Sequence, residues 1–107
     1  FFTTGSPGGA RIISAVLQSI LNIIDFEMNL EEATFAKRIH HQWQPDVLEI
    51  EYSIDDKLKK ELSDMKYNID VKVPLTCIQT IMFQDNKYYG YGDFRRPDAF
   101  ASGNIND

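Results

Sequence analysis

Residues 3 to 12 read TTGSPGGARI, and this stretch constrains the fold more than any other. Two threonines enter a turn of Gly5, Ser6, Pro7, Gly8 and Gly9, and an apolar helical pattern starts directly after it. Any fold that contains it must pass from strand to helix within a few residues. From Ala10 to about Asp25, apolar residues at 13, 16, 17, 20 and 24 follow helical spacing. Ile12, Leu21 and Ile23 place further apolar groups off that stripe, so the helix is expected to be covered on most sides. Phe1 to Thr4 is aromatic and β-branched and reads as a strand end. The chain opens without an initiator methionine or a signal peptide, so it is expected to be a fragment of a longer polypeptide.

A strand, a glycine turn and a helix start together make a good anion site. The first amides of a helix lack intrahelical partners, and the helix dipole favours negative charge there. Gly8 and Gly9 have no side chains to block a ligand, whereas Pro7 stiffens the turn and donates nothing. Three readings stand side by side. A phosphate loop needs GxxxxGK[ST], and no such Lys follows Gly9; the dinucleotide pattern GxGxxG is also absent. An oxyanion hole needs two backbone amides aimed at a developing negative charge. The third reading is a plain strand-to-helix turn.

Further along, Asn29 is a candidate N-cap with Glu31 and Glu32 in the first turn of a short helix to about Lys37. RIHHQWQP, residues 38 to 45, breaks the pattern. VLEIEY, residues 47 to 52, alternates apolar and acidic residues and predicts a half-buried strand. Ser53 or Asp55 caps a third helix to about Met65, with Leu58 and Leu62 at i, i+4. Ile69, Val71 and Val73 alternate as a strand, Thr76 to Phe83 forms a longer one, and Asp85-Asn86 turns the chain into a hairpin with Lys87 to Tyr91. The tail from Gly92 reads as irregular and polar. The predicted order is β-α-α-β-α-β-β-β, one α/β piece with a largely antiparallel sheet in its second half.

Composition removes several function classes. A length of 107 residues suits one domain, and 43% hydrophobic residues supply a core. A net charge of −5 argues against nucleic acid, because phosphate neutralisation needs clustered Lys and Arg. Lys57, Lys59 and Lys60 are interleaved with Asp55, Asp56, Glu61 and Asp64 and read as a solvated helix face. Cys77 stands alone, so it forms no intrachain disulfide and no Cys-based zinc site; it is expected as a buried small hydrophobe. No run of 18 apolar residues exists, so no membrane span is predicted. No metal or cofactor is expected. His40 and His41 are adjacent, point opposite ways and chelate one ion poorly. Arg38, His40, His41 and Trp43 are expected to form a polar and aromatic packing node.

TGSPGGARI, the helix after it, NLEEA, RIHHQW, GYGDFRR and ASG occur in this order along nearly the whole chain. Together they resemble the C-terminal part of the small subunit of the gamma-glutamyltransferases, also called gamma-glutamyltranspeptidases. TGSPGG and RIHHQW carry the resemblance most specifically. It implies the C-terminal portion of an N-terminal nucleophile hydrolase, with an αββα sandwich, over residues 1–107 as a single fragment. It further implies a self-cleaving precursor whose small subunit starts with a nucleophilic Thr, activated by its own α-amine. That Thr attacks a γ-glutamyl amide such as glutathione, and the resulting ester passes its γ-glutamyl group to water, an amino acid or a peptide. On the GSPGG motif, Gly8 and Gly9 match the two glycines whose amides form the oxyanion hole and so contact substrate.

The family's Thr lies far upstream, so no nucleophile is expected here. Thr4 matches the Thr before GSPGG, at a strand end. The implied partners are the remainder of the small subunit, the large subunit of the same precursor and a γ-glutamyl donor. The chain alone is expected to be inactive and to self-associate through sheet edges and the apolar faces of Phe1, Phe2 and the first helix. The resemblance suggests a periplasmic or extracellular location for the full protein. A relative of the same fold acting on another substrate, such as a β-lactam acylase or a polyglutamate transpeptidase, and a non-catalytic module are the alternatives. Lys37 and Phe94 stand where the family often has Pro, and Asp64-Met65-Lys66 stands where it usually has Gly, which makes a left-handed helix cap less comfortable.

Overall fold

The computed structural model describes residues 1–52, 54–72 and 76–103. Three helices and two three-stranded sheets form within them, in the order β1 (Phe2–Gly5), α1 (Arg11–Ile24), α2 (Leu30–Phe35), β2 (Ile39–His40), β3 (Leu48–Glu51), α3 (Asp56–Asp64), β4 (Ile69–Lys72), β5 (Gln79–Gln84) and β6 (Lys87–Tyr91). One sheet, ordered β1-β5-β6, is antiparallel throughout, with Thr4 opposite Thr80 and Thr80 opposite Tyr91. Asp85 and Asn86 close its hairpin at φ 52° and 62°. Two consecutive left-handed residues match the twist of a two-residue hairpin, and Asp and Asn tolerate that conformation.

The other sheet, β2-β3-β4, holds an antiparallel pair and a parallel one. Parallel strands need a crossover, and α3 provides it between β3 and β4. RIHH was expected to break the pattern, yet Ile39 and His40 pair with Ile50 and Glu49 as a two-residue strand. So short a strand has no period to read, and partner strand β3 decides it.

Local chemistry sets the helix ends. Asn29 accepts from the Glu32 amide at 2.8 Å and donates to the Glu32 carboxylate at 2.9 Å, a reciprocal cap. Asp55 accepts from the Lys57 amide at 2.7 Å; Ser53, the other candidate cap, lies outside the described residues, as does Val73. At the end of α3, Lys66 takes the left-handed position at φ 74°. Its amide reaches the Ser63 carbonyl at 2.9 Å and that of Tyr67 the Leu62 carbonyl at 3.4 Å, which completes a Schellman cap without glycine.

The main apolar cluster is Leu48, Ile50 and Ile54, with Leu62 and Ile69 packed against it. α1 packs against β1, α2 and β2, and fully buries Ala15 and Ser19 only. Ile13, Leu17 and Ile24 stay 77%, 53% and 60% exposed, so the expected cover on most sides is not supplied within this chain. The Cα radius of gyration, 15.3 Å, exceeds the roughly 13 Å of a compact domain of this length. Among the described residues, no helix is long and apolar enough to cross a membrane.

Candidate functional site

The glycine turn joins the end of β1 to the start of α1. The Ser6 hydroxyl donates to the Pro7 carbonyl at 2.6 Å and tightens the bend. Gly8 lies at φ 134° and Gly9 at φ 59°, both beyond the ordinary range of L side chains. The amides of Arg11 and Ile12 donate back to the carbonyls of Gly8 and Gly9 at 3.1 and 3.2 Å. Both glycines are exposed, and among the described residues their own amides meet no protein acceptor. α1 has no side-chain cap at Ala10 and no acidic residue in its first turn, so its positive end is not neutralised locally.

Arg11, the first residue of α1, is held by a carboxylate from β3. Its Nε and Nη2 donate to Glu49 Oε2 and Oε1, each at 2.6 Å. This fork-to-fork geometry fixes orientation as well as distance. The hydrogen bond and charge of Arg11 hold the Glu49 carboxyl below the usual range, against the opposing effect of burial.

A buried ionic cluster joins the end of α2, β3 and the tail. Arg38 Nη1 donates to Asp93 Oδ2 at 2.8 Å, and Arg95 Nη1 donates to Asp93 Oδ1 at 3.0 Å. Arg95 also grips Glu51 through Nε and Nη2 at 2.7 and 2.8 Å. The guanidinium groups collect the free carbonyls at the end of α2: Arg38 takes that of Thr34, while Arg95 takes those of Thr34 and Ala36. Asp93 accepts the amide of Ile78 at 2.7 Å, so that amide serves the cluster rather than a sheet ladder. The strand expected over Thr76 to Phe83 therefore pairs only from Gln79.

Burial pushes the Asp93 carboxyl up, but the amides of Ile78 and Arg95 and the charge of Arg38 outweigh it and leave the pKa lowered. Burial lowers Arg95, and Glu51 and Asp93 more than restore it. Burial and the neighbouring Arg95 lower Arg38, which as a guanidinium stays charged.

Two expectations are corrected by this cluster. In VLEIEY, Leu48 and Ile50 face the apolar cluster as expected, but Glu51 on the opposite face is also buried, at 3% exposure, because the Arg38 main-chain amide and the Arg95 guanidinium take its oxygens. The described tail holds no helix or strand, as expected, but it is not all solvent-facing: Asp93 is fully buried. Gly92 permits this: a Cβ there would meet the backbone of Ala99 and Phe100 at 2.6 Å. The two positions that depart from the family's Pro touch one another, with Lys37 Nζ 5.8 Å from the centre of the Phe94 ring.

The expected packing node divides. Arg38 joins the ionic cluster. His40 is buried between the Ser14 hydroxyl, 2.7 Å from Nδ1, and Gln42 Oε1, 2.9 Å from Nε2. The space beside the Ser14–His40 pair admits no water-sized group, so it is a packing contact without room for substrate. His41 faces Asp46 at 3.0 Å, and Trp43 is 76% exposed with φ 71°, outside any packing node. Thr3 and Thr4 lie in β1, and the Thr4 hydroxyl is shared with Thr80 at 2.7 Å. Cys77 is buried, as its apolar setting predicts.

The structure thus places Gly8 and Gly9 side by side at an open helix start. The Arg11–Glu49 pair and the ionic cluster went unrecognised in the sequence. GDFRR stands out in the sequence and the two glutamates of LEIE share one strand face, but the arginines that grip those glutamates lie 38 and 44 residues away.

The family described as gamma-glutamyltranspeptidase matches residues 1–103. The glutathione hydrolase proenzyme of Escherichia coli (strain K12) is 40% identical over 104 residues, covering 96% of this chain and 18% of the relative. The acylase ACY 1 proenzyme of Pseudomonas sp. (strain V22) is 40% identical over 62 residues, covering 57% of this chain and 11% of that protein. The crystal structure of an acivicin-inhibited gamma-glutamyltranspeptidase superposes with a TM-score of 0.85 at 40% identity, over 90% of this chain and 54% of that one. The chain thus spans under a fifth of the curated relatives and about half of the solved chain. Its mixed helices and antiparallel ladders match the N-terminal nucleophile hydrolase fold of that structure. Matched by the family over residues 1–103 and by a solved member at 40% identity over 90% of its length, this chain belongs to the gamma-glutamyltranspeptidase family.

Proposed function

We propose that the Gly8–Gly9 turn binds the oxyanion in a protein that cleaves γ-glutamyl amides such as glutathione. The supporting observation is the pair of exposed, positive-φ glycines at the uncapped start of α1, whose amides meet no acceptor among the described residues. In this reading, a Thr elsewhere in the parent protein attacks the γ-glutamyl carbonyl and gives its proton to its own α-amine. Negative charge develops on the carbonyl oxygen, and preorganised amides stabilise it without reorganising. The tetrahedral species collapses to a γ-glutamyl ester, and the amine leaves with the transferred proton. Water, an amino acid or a peptide then takes the acyl group through the same oxyanion site. The remainder of the small subunit and the large subunit supply the other half of the site, so this chain alone is inactive.

Side-chain deletion cannot remove a backbone donor. In the full-length protein, glycolate placed at position 9 by nonsense suppression replaces the Gly9 amide with an ester. The expected loss in kcat on a γ-glutamyl anilide is about 100- to 1000-fold, as for other single oxyanion donors. An ester variant that self-processes and turns over at the parent rate overturns the proposal.

A further inference from the structure

We infer that Arg11 is a positioning residue for the Gly8–Gly9 turn, acting through its two-point ion pair with Glu49. This rests on the oxyanion reading above. The turn's orientation is tied to residue 11 itself: the Arg11 amide holds the Gly8 carbonyl at 3.1 Å, and the next amide holds that of Gly9 at 3.2 Å. The Gly8 carbonyl shares its peptide plane with the Gly9 amide, so whatever fixes the backbone of Arg11 bears directly on where the Gly9 N–H points. On the other side, the guanidinium meets Glu49 through two bonds of 2.6 Å. Glu49 stands on β3, cross-strand from His40 and alongside Asp70 on β4, so the anchor belongs to the second sheet and not to the turn.

The placement runs against local preference. A cation in the first turn of a helix opposes the helix dipole, and this helix has neither a side-chain cap nor a first-turn acid. An arginine there is explained by what it grips. Two parallel bonds to one carboxylate resist both sliding and rotation of the helix start, which a point charge does not. Gly8 and Gly9 themselves carry no such restraint, being exposed and without side chains.

The test uses the full-length protein with Arg11→Met, Arg11→Lys, Glu49→Gln and glycolate at position 9, measuring acylation per processed active site, kcat, KM and melting temperature. Arg11→Met is expected to lower kcat about 10- to 100-fold, the scale of an ångström-sized misplacement. KM should stay within about twofold, since ground-state binding is untouched. Arg11→Lys should remain well below the parent rate because it keeps the charge and loses the fork, and Glu49→Gln should fall in the same direction. Parent-like kcat in Arg11→Met overturns the inference, as does full rescue by Lys, which would make Arg11 a charge and not a clamp. A loss confined to melting temperature or processed yield, with an unchanged rate per site, also overturns it and leaves a structural tie. If the position 9 ester alone is harmful, the clamp fails and the oxyanion reading survives; if the ester is harmless, the oxyanion reading fails first.

Discussion

At Gly8 and Gly9, two amides face open space with no acceptor among the described residues, while around Asp93 donors and acceptors are packed together and matched. Among the described residues, no buried side-chain polar atom lacks a partner. Both regions are built from the same materials: backbone amides, arginine and a change of chain direction. One keeps donors available, and an anion can use them. The other consumes its donors, and so it fastens α2, β3, the start of β5 and the tail at one point. The proposed oxyanion role calls for both, because exposed donors are useful only on a frame that does not yield.

The sharpest break in this contrast is Asp93→Ala. It leaves Arg38 and Arg95 buried with half their charge partners gone and strips the Ile78 amide. A loss of about 3–5 kcal/mol is expected from such an uncompensated charge, read by denaturant unfolding of the full-length protein or as failure to accumulate it. Acid should act on the same group more gently. Asp93 and Glu49 both have folded pKa values below their unfolded ones, so each stabilises fully above the unfolded value and loses that contribution as pH falls through the folded one. Unfolding free energy should therefore drop below about pH 4, and Asp93→Asn should flatten that drop; an unchanged acid limb contradicts the assignment.

Gly92→Ala drives a methyl into the backbone of Ala99 and Phe100, with an expected cost of about 1–3 kcal/mol, visible as a lowered melting temperature. Gly9→Ala probes the other side of the comparison. Its Cβ meets nothing within 4 Å, so only the left-handed backbone is strained, at about 1 kcal/mol. Calorimetry should show that small loss beside a much larger loss of turnover. A stability loss equal to that of Asp93→Ala would mean the turn is part of the frame after all. Smallest, and of opposite sign, Lys66→Gly relieves the φ 74° cap of α3, for a gain of about 0.5–1 kcal/mol in a thermal melt.

Much of this molecule is legible without coordinates. Asn29 and Asp55 announce their helices because a cap acts on amides two or three residues away. Asp85-Asn86 announces its hairpin because turn conformation is a property of the turn residues. The spacing over 13 to 24 predicts α1, and the GSPGG motif locates the turn whose glycines hold positive φ. The discomfort expected without a glycine after α3 is visible as the left-handed Lys66.

What stayed hidden depends on partners distant in sequence. Glu51 looked solvent-facing because its alternation with Ile50 says only that the two residues occupy opposite faces, not what covers each face. Arg95 covers it from 44 positions away. His40 found Ser14, Ile39 found Ile50, and the Trp43 side chain, expected in a packing node, stays 76% exposed. The parallel pairing of β3 and β4 likewise follows from where α3 delivers the chain, not from either strand's composition.

The sequence by itself determined the order of every element but β2, the helix caps, the hairpin and the glycine turn, because each depends on contacts a few residues long. Only the tertiary structure decided which charges are buried, that Arg11 grips Glu49, and that Asp93 gathers two arginines and an amide. Ion-pair geometry is set by strands and loops meeting in space, and a linear pattern carries the charges but not the distances between them.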